Sequence, residues 1–275
     1  MQGFFGSKPR PLGSVSLGRS SFRWTRPHKM TAFATAYTSL GFAIAADGRQ
    51  RWDHSPTRDV TIRRRESDTV QKIFKIVANQ GALACIVRGH VANRDMTFDL
   101  SNELISQSAS LQWRDFTGFN DYLHTLSTNT RYRIDSVLGS MLDGQYPAAE
   151  VAFVGYFRMK PHFAEVSFLP YVDPVGYRVT EFSMSPGSNI VSGSQVIEDL
   201  LSMCDPRVIQ FCKHLDDGST LEDAIGFVTS YVEACSSEVA LKLDPTCEDI
   251  GGHIHVATVT PATGFRWIVQ PVTSA

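Results

Sequence analysis

From Thr31 onward the chain alternates short apolar segments with turn residues. Thr31-Ala-Phe-Ala-Thr-Ala-Tyr-Thr and Gly41-Phe-Ala-Ile-Ala-Ala read as two strands joined at Ser39-Leu40-Gly41, a hairpin. A polar, basic stretch from Arg49 to Asp68 follows, and its Arg63-Arg64-Arg65 triplet is expected on an exposed loop face. Val70-Gln-Lys-Ile-Phe-Lys-Ile and Leu83-Ala-Cys-Ile-Val then form a second predicted strand pair around Asn79-Gln80-Gly81. Residues 91–109 and 115–142 carry helical spacing, with Leu100, Leu104 and Ile105 in the first and Phe119, Tyr122, Leu123 and Leu126 in the second. Strands return at Glu150–Phe157, Phe163–Pro170 and Tyr177–Ser183, with Asp173-Pro174-Val175-Gly176 as a turn. Helices are predicted at about 194–214 and 220–242, the latter opening at Ser219/Thr220 with Glu222 and Asp223 in its first turn. His253–Val259 and Phe265–Val269 close the chain as strands. This order predicts an α+β fold of two stacked sheets covered by helices on both outer faces.

Residues 1–30 break the pattern. They carry Lys8, Arg10, Arg19, Arg23, Arg26 and Lys29, no acidic residue, many Ser, Gly and Pro, and no apolar periodicity, so they are expected to be disordered. A propeptide, a targeting segment and a start placed too far upstream are the three readings; Met30 directly before Thr31 favours the last, because an initiator Met before a small residue is removed. Residues 31–275 are then expected as a single domain. With 275 residues, 43% apolar and 20% charged, the chain has the composition and length for one large core.

A formal net charge of −2 supplies no global field for nucleic acid or an anionic membrane, and no apolar run reaches the ~18–20 residues of a bilayer span. Neither partner is expected. Five cysteines (Cys85, Cys204, Cys212, Cys235, Cys247) contain no C-x-x-C pair, and buried reduced thiols in a cytoplasmic protein are the expectation. His253 and His255 share a strand face without a third ligand nearby in sequence, so no metal or other cofactor is expected.

Several short motifs then fall in a telling order. Thr31 opens the first strand and Ala45-Ala46-Asp47-Gly48-Arg49 ends the second; the Thr–Asp separation of sixteen residues resembles the opening of proteasome β subunits and of the bacterial HslV peptidase. Val70-Gln-Lys72-Ile-Phe resembles the strand that carries that family's active-site Lys, and Arg88-Gly89-His-Val-Ala its glycine turn. Val172–Gly176, Val191-Ser192-Gly193-Ser194 and Asp249-Ile-Gly-Gly252 resemble further family segments. The resemblance implies a proteasome-like N-terminal-nucleophile hydrolase, a four-layer αββα sandwich, with Thr31 as nucleophile through its hydroxyl and as base through its α-amine. That amine has a reference pKa near ~7.7–8.0, which a neighbouring ammonium lowers. Lys72 would be the ammonium, held charged by Asp47; Lys75, which fits the distance to Gly89 better, stays open as the alternative. Gly89 would supply an oxyanion-binding N–H, and Ser192 would hydrogen-bond the Thr31 amine or a proton-carrying water. Val87 and Val91, flanking Gly89, are expected to line the pocket for the residue before the cut.

Departures exist. Cys247 stands where β subunits usually carry Asp, and Ile250 where they carry Ser; Cys247 and Asp249-Ile250 look nearer to the HslV branch. The function implied is a threonine peptidase acting on peptides or unfolded protein inside a homo-oligomeric ring or spiral. No G-x-x-x-x-G-K-[ST] motif occurs, so an unfolding ATPase would be a separate partner. A catalytically silent structural subunit and an amidase acting on a small molecule are the alternatives.

Overall fold

Strands β1 (Phe33–Thr38) and β2 (Gly41–Ala46) are buried at every position, and their two faces carry different side-chain sizes. Ala34, Ala36, Ala43 and Ala45 lie on one face, while Phe33, Tyr37, Phe42 and Ile44 lie on the other. Period-2 alternation makes a small-residue floor on which a helix can settle and a bulky face for a second sheet. The computed structural model describes residues 31–54, 63–78, 81–89, 99–138, 149–169 and 176–272.

Two five-stranded antiparallel sheets result. The first has the order β10 (Asn189–Ser192), β1, β2, β11 (His255–Thr260), β12 (Gly264–Val269). The second follows chain order: β5 (Ile73–Ala78), β6 (Gly81–Gly89), β7 (Ala149–Phe157), β8 (Lys160–Leu169), β9 (Gly176–Phe182). Phe33, Phe42 and Ile44 of the first sheet form one apolar cluster with Ile73, Ala84, Ile86, Val154 and Phe163 of the second. The outer face of the second sheet packs Leu83, Cys85, Val151 and Phe153 against α1 (Leu100–Ser110) and α2 (Phe119–Leu138), through Leu104, Tyr122 and Leu126. Burying side chains of this size contributes roughly 1.5–3 kcal/mol each. The alanine floor of the first sheet meets α3 (Gln195–Ser202), α4 (Leu221–Cys235) and α5 (Glu238–Leu243), through Ile197, Val228, Val232 and Ala240. The fold is α+β with five α-helices among the described residues.

Four expectations change. The basic stretch contains a two-stranded antiparallel hairpin, β3 (Gln50–His54) with β4 (Arg63–Ser67), pairing Arg51 with Glu66 and Asp53 with Arg64. The four-residue β10 went unpredicted; it exists because β1 offers it an edge, with Ser192 opposite Phe33. The helix expected over 194–214 stops at Ser202, since Pro206 disfavours a helical Asp205 and Cys204 takes a left-handed φ of 49°. The helix expected over 220–242 divides at Ser236–Ser237, where the Ser237 hydroxyl caps α5 by accepting from Ala240 N–H at 3.1 Å. Its start is as expected: Thr220 and Asp223 form a capping box. Residues 1–30, the 91–98 part of the first helix and the Asp173–Val175 turn lie outside the described residues. No helix among the described residues is long and apolar enough to cross a membrane.

Candidate active site

Asp47 follows β2, where the chain leaves the sheet between the ends of β1 and β11, and its carboxylate is wholly buried. Four N–H donors converge on it. Oδ1 accepts from the backbone N–H of Ala32 at 2.9 Å and from Lys72 Nζ at 2.8 Å. Oδ2 accepts from the backbone N–H groups of Arg49 and Gly251, both at 3.2 Å. Burial pushes the Asp47 carboxyl up and the Lys72 ammonium down. Against that, a protonated carboxyl would lose an acceptor site, and while the Arg49 N–H also donates to the Gly251 carbonyl at 2.8 Å, the bonds from Ala32, Lys72 and Gly251 depend on the carboxylate. The anion bonded to the ammonium satisfies every group, so we assign the pair as ionised.

Lys72 sits just before β5, and three contacts fix its backbone and side chain. Its N–H donates to His255 Nε2 at 3.1 Å, its carbonyl accepts from Val87 N–H at 3.1 Å, and its ammonium reaches Asp47. His255 is 1% exposed, and burial, with the Lys72 charge second, holds its imidazole down at about 4. It is therefore neutral near pH 7, with Nε2 free to accept. Lys75, two residues past Ile73 on the edge strand, is exposed. The structure thus brings Lys72 and not Lys75 to Asp47.

The turn before β11 completes the cradle. Gly48 and Arg49 N–H both donate to Gly251 carbonyl, at 3.0 and 2.8 Å, and His253 N–H donates to Asp68 carbonyl at 2.7 Å. A Cβ on Gly48 would stand 2.6 Å from the His253 carbonyl oxygen and 2.8 Å from that of Asp68. Only glycine fits there. The Arg49 guanidinium bonds Asp68 at 2.8 Å and the carbonyls of Glu248 and Ile250 at 3.2 and 3.3 Å, fastening this turn to the Asp47 loop.

Thr31 is half-buried two residues before β1, and the amide that joins it to Ala32 is the one bonded to Asp47. Lys72 Nζ and Ala32 N share one carboxylate oxygen, so they lie less than two hydrogen-bond lengths apart. Gly89 ends β6, exposed, with a left-handed φ of 90°. Ser192 ends β10 opposite Phe33 and accepts a hydrogen bond from Arg88 Nη1. Arg88 also pairs with Glu150, and its guanidinium lies 5.5 Å from the centre of the Phe33 ring. It ties the Gly89 end of the second sheet to the Thr31 end of the first.

Two expected pocket residues fare differently. Val91 lies outside the described residues. Val87 is corrected: it is 4% exposed and packs in the cluster under α1 and α2, which leaves no room for a substrate side chain. Alternation along β6 explains the error, because Leu83, Cys85 and Val87 face the helices while Ala84, Ile86 and Arg88 face the other sheet. Sequence reasoning also missed Arg49 and His255 as site residues. The only signal for Arg88 was its place one residue before Gly89. For His255 it was the pair His253 and His255 at the start of the predicted penultimate strand.

No family model matches the chain, and no curated protein matches it. Solved structures do match; one is the Gly-1 mutant of Anbu from Hyphomicrobium sp. strain MC1, 12% identical, covering 87% of this chain and 87% of that one, with a TM-score of 0.49. Neither the family models nor the curated proteins show membership of the proteasome β-subunit and HslV family, so that assignment is withdrawn. The motifs that suggested it are short, and several answer to local backbone demands. Gly48, Gly251 and Gly252 sit where a Cβ would meet neighbouring atoms, and Gly89 where φ is left-handed. Such residues mark turns, whatever the lineage.

Proposed function

We propose that the chain is a threonine-type peptidase whose nucleophile is Thr31, acting once Thr31 is the first residue. One observation carries this reading: the buried Asp47 carboxylate holds both the Lys72 ammonium and the amide next to Thr31. A buried lysine pinned beside a threonine has an evident chemical use, since its charge would lower the pKa of the Thr31 α-amine and keep it a free base near neutral pH. The amine would then take the Thr31 hydroxyl proton as Oγ bonds to the scissile carbonyl carbon. That proton would pass to the leaving amine as the C–N bond breaks, and water would release the acyl group by the reverse route. Gly89 N–H would stabilise the oxyanion, and Ser192, held by Arg88, would relay or orient the proton.

The same reading takes residues 31–275 as one domain with a four-layer αββα arrangement, supported by apolar clusters between the sheets and under each helical set. Peptides or unfolded chains are the substrate, and a homo-oligomer is the working form. Exposed apolar side chains occur on both helical layers, Tyr132 on α2 and Val196, Met203 and Ile209 on α3 and the segment after it, and they support such contacts. Free thiols at all five cysteines accord with the cytoplasm.

The test compares two chains at equal concentration on fluorogenic peptides, with mass spectrometry of each N-terminus. A chain beginning at Met30, trimmed by the host to Thr31, should be active, with a rate that rises through an apparent pKa at or below ~8. The untrimmed chain should be inactive, because an amide nitrogen is no base. Equal rates would sink the proposal.

A further inference from the structure

The segment that follows α3 folds back on itself outside any strand or α-helix. Cys204 N–H donates to Leu201 carbonyl at 3.1 Å and Asp205 N–H to Leu200 carbonyl at 3.0 Å, so the chain turns sharply at the left-handed Cys204. Val208, fully buried, anchors the middle of the loop in the cluster beneath α3 and α4. A 3-10 turn at Ile209–Phe211 then brings Cys212 back, its N–H donating to Ile209 carbonyl at 3.0 Å. Three soft or borderline donors meet as a result. Cys204 Sγ and Cys212 Sγ are 2.9 Å apart, and His214 Nε2 lies 3.6 Å from the first and 3.7 Å from the second. Both cysteines are partly buried, and the histidine is exposed.

We propose that Cys204, Cys212 and His214 form a binding site for one zinc-class divalent ion, with the fourth coordination position open to water or to a donor from another molecule. Metal–sulfur bonds of ~2.3 Å and metal–nitrogen bonds of ~2.0–2.1 Å at tetrahedral angles place S and N about 3.6 Å apart. Both S···N separations already have that length. The sulfurs would have to part from 2.9 Å to about 3.7 Å, a side-chain rotation's worth of movement. Closing to the ~2.05 Å of a disulfide would take a movement of similar size. His214 decides between the two: an imidazole nitrogen equidistant from both sulfurs completes a metal triangle and has no part in a disulfide. Thiolate and imidazole together select zinc-class ions over magnesium or calcium. The expectation of buried thiols holds for Cys85, Cys235 and Cys247, whereas Cys204 and Cys212 are only partly buried. The spacing C-x7-C-x-H matches no familiar zinc pattern, so the sequence did not disclose it. The bound ion would staple the 203–214 loop, and the site shares no residue with the Asp47–Lys72 centre.

The experiment uses the full, untagged chain, reduced and freed of metal, titrated with Co(II) and followed by absorption. One cobalt per chain is expected, with visible bands of tetrahedral intensity and thiolate-to-metal charge transfer in the near ultraviolet. Cys204→Ser and Cys212→Ser should each remove most of the charge-transfer band. His214→Ala, which alters an exposed side chain and leaves the circular dichroism unchanged, should weaken binding at least about tenfold. Two results would overturn the proposal. One is no thiolate–cobalt spectrum with both thiols reduced, or a spectrum unchanged by His214→Ala. The other is non-reducing peptide mapping of freshly isolated protein that finds Cys204 and Cys212 joined, which would make them a redox pair.

Discussion

Lys72 Nζ and Asp47 Oδ1 stand 2.8 Å apart, with side chains 7% and 0% exposed, and they link the residue just before β5 of the second sheet to the residue just after β2 of the first. Taking both groups out of water is costly, and their mutual bond with three further backbone donors offsets that cost only while both are present. Lys72→Met should therefore lower stability by roughly 3–5 kcal/mol, as should Asp47→Ala. The double variant should lose clearly less than the sum. Urea denaturation midpoints check this. Strict additivity would mean the two side chains do not act as a unit.

Arg88 is expected to matter for turnover more than for folding. Its side chain is 24% exposed, so removing its pair with Glu150 should cost about 1 kcal/mol or less. Loss of its bond to Ser192 should nevertheless reduce kcat/KM on peptides by about tenfold or more, the worth of a charge-assisted hydrogen bond. Lys75→Ala, on the exposed edge of β5, should change neither. Steady-state kinetics of the Thr31-initiated chain with each substitution give the answer.

His255 makes stability depend on pH in a defined window. Its folded pKa of about 4 lies below the ~6.5 of an unfolded histidine, so the unfolded chain binds the extra proton first as pH falls. The contribution is complete above about 6.5 and lost as pH drops toward about 4, to a total of roughly 3 kcal/mol. His255→Gln keeps an acceptor for the Lys72 N–H but binds no proton. The difference in unfolding free energy between pH 7 and pH 5 should be smaller in that variant than in the parent.

Two glycines should respond to alanine with opposite signs. At Gly48 the new methyl would meet two carbonyl oxygens, and a loss of ~2 kcal/mol or more is expected. Gly226, in the interior of α4, has no neighbouring atom within 4 Å of such a methyl, and Gly226→Ala should gain ~0.5–1 kcal/mol by its helix propensity. Thermal melts of the two variants, compared with the parent, read both effects.

Periodicity alone determined most of the elements, because burial acts on one face of a strand or helix and writes itself into the spacing. The two hairpin strands at Thr31–Ala46, the second β block and the Thr220 helix start are of this kind. Asp47 was singled out differently, by its sixteen-residue separation from Thr31, which resembles the opening of proteasome β subunits and HslV. The sequence favoured Lys72 while leaving Lys75 open, and tertiary structure decided between them: the His255 and Val87 backbone contacts hold Lys72 where its ammonium reaches Asp47, while Lys75 is exposed. It also chose Arg88 over Val87, since the phase of β6 against its neighbouring sheet cannot be read from one strand of apolar residues buried on both faces. And it gathered Cys204, Cys212 and His214, whose convergence depends on a left-handed residue and one buried valine, neither of which leaves a periodic trace.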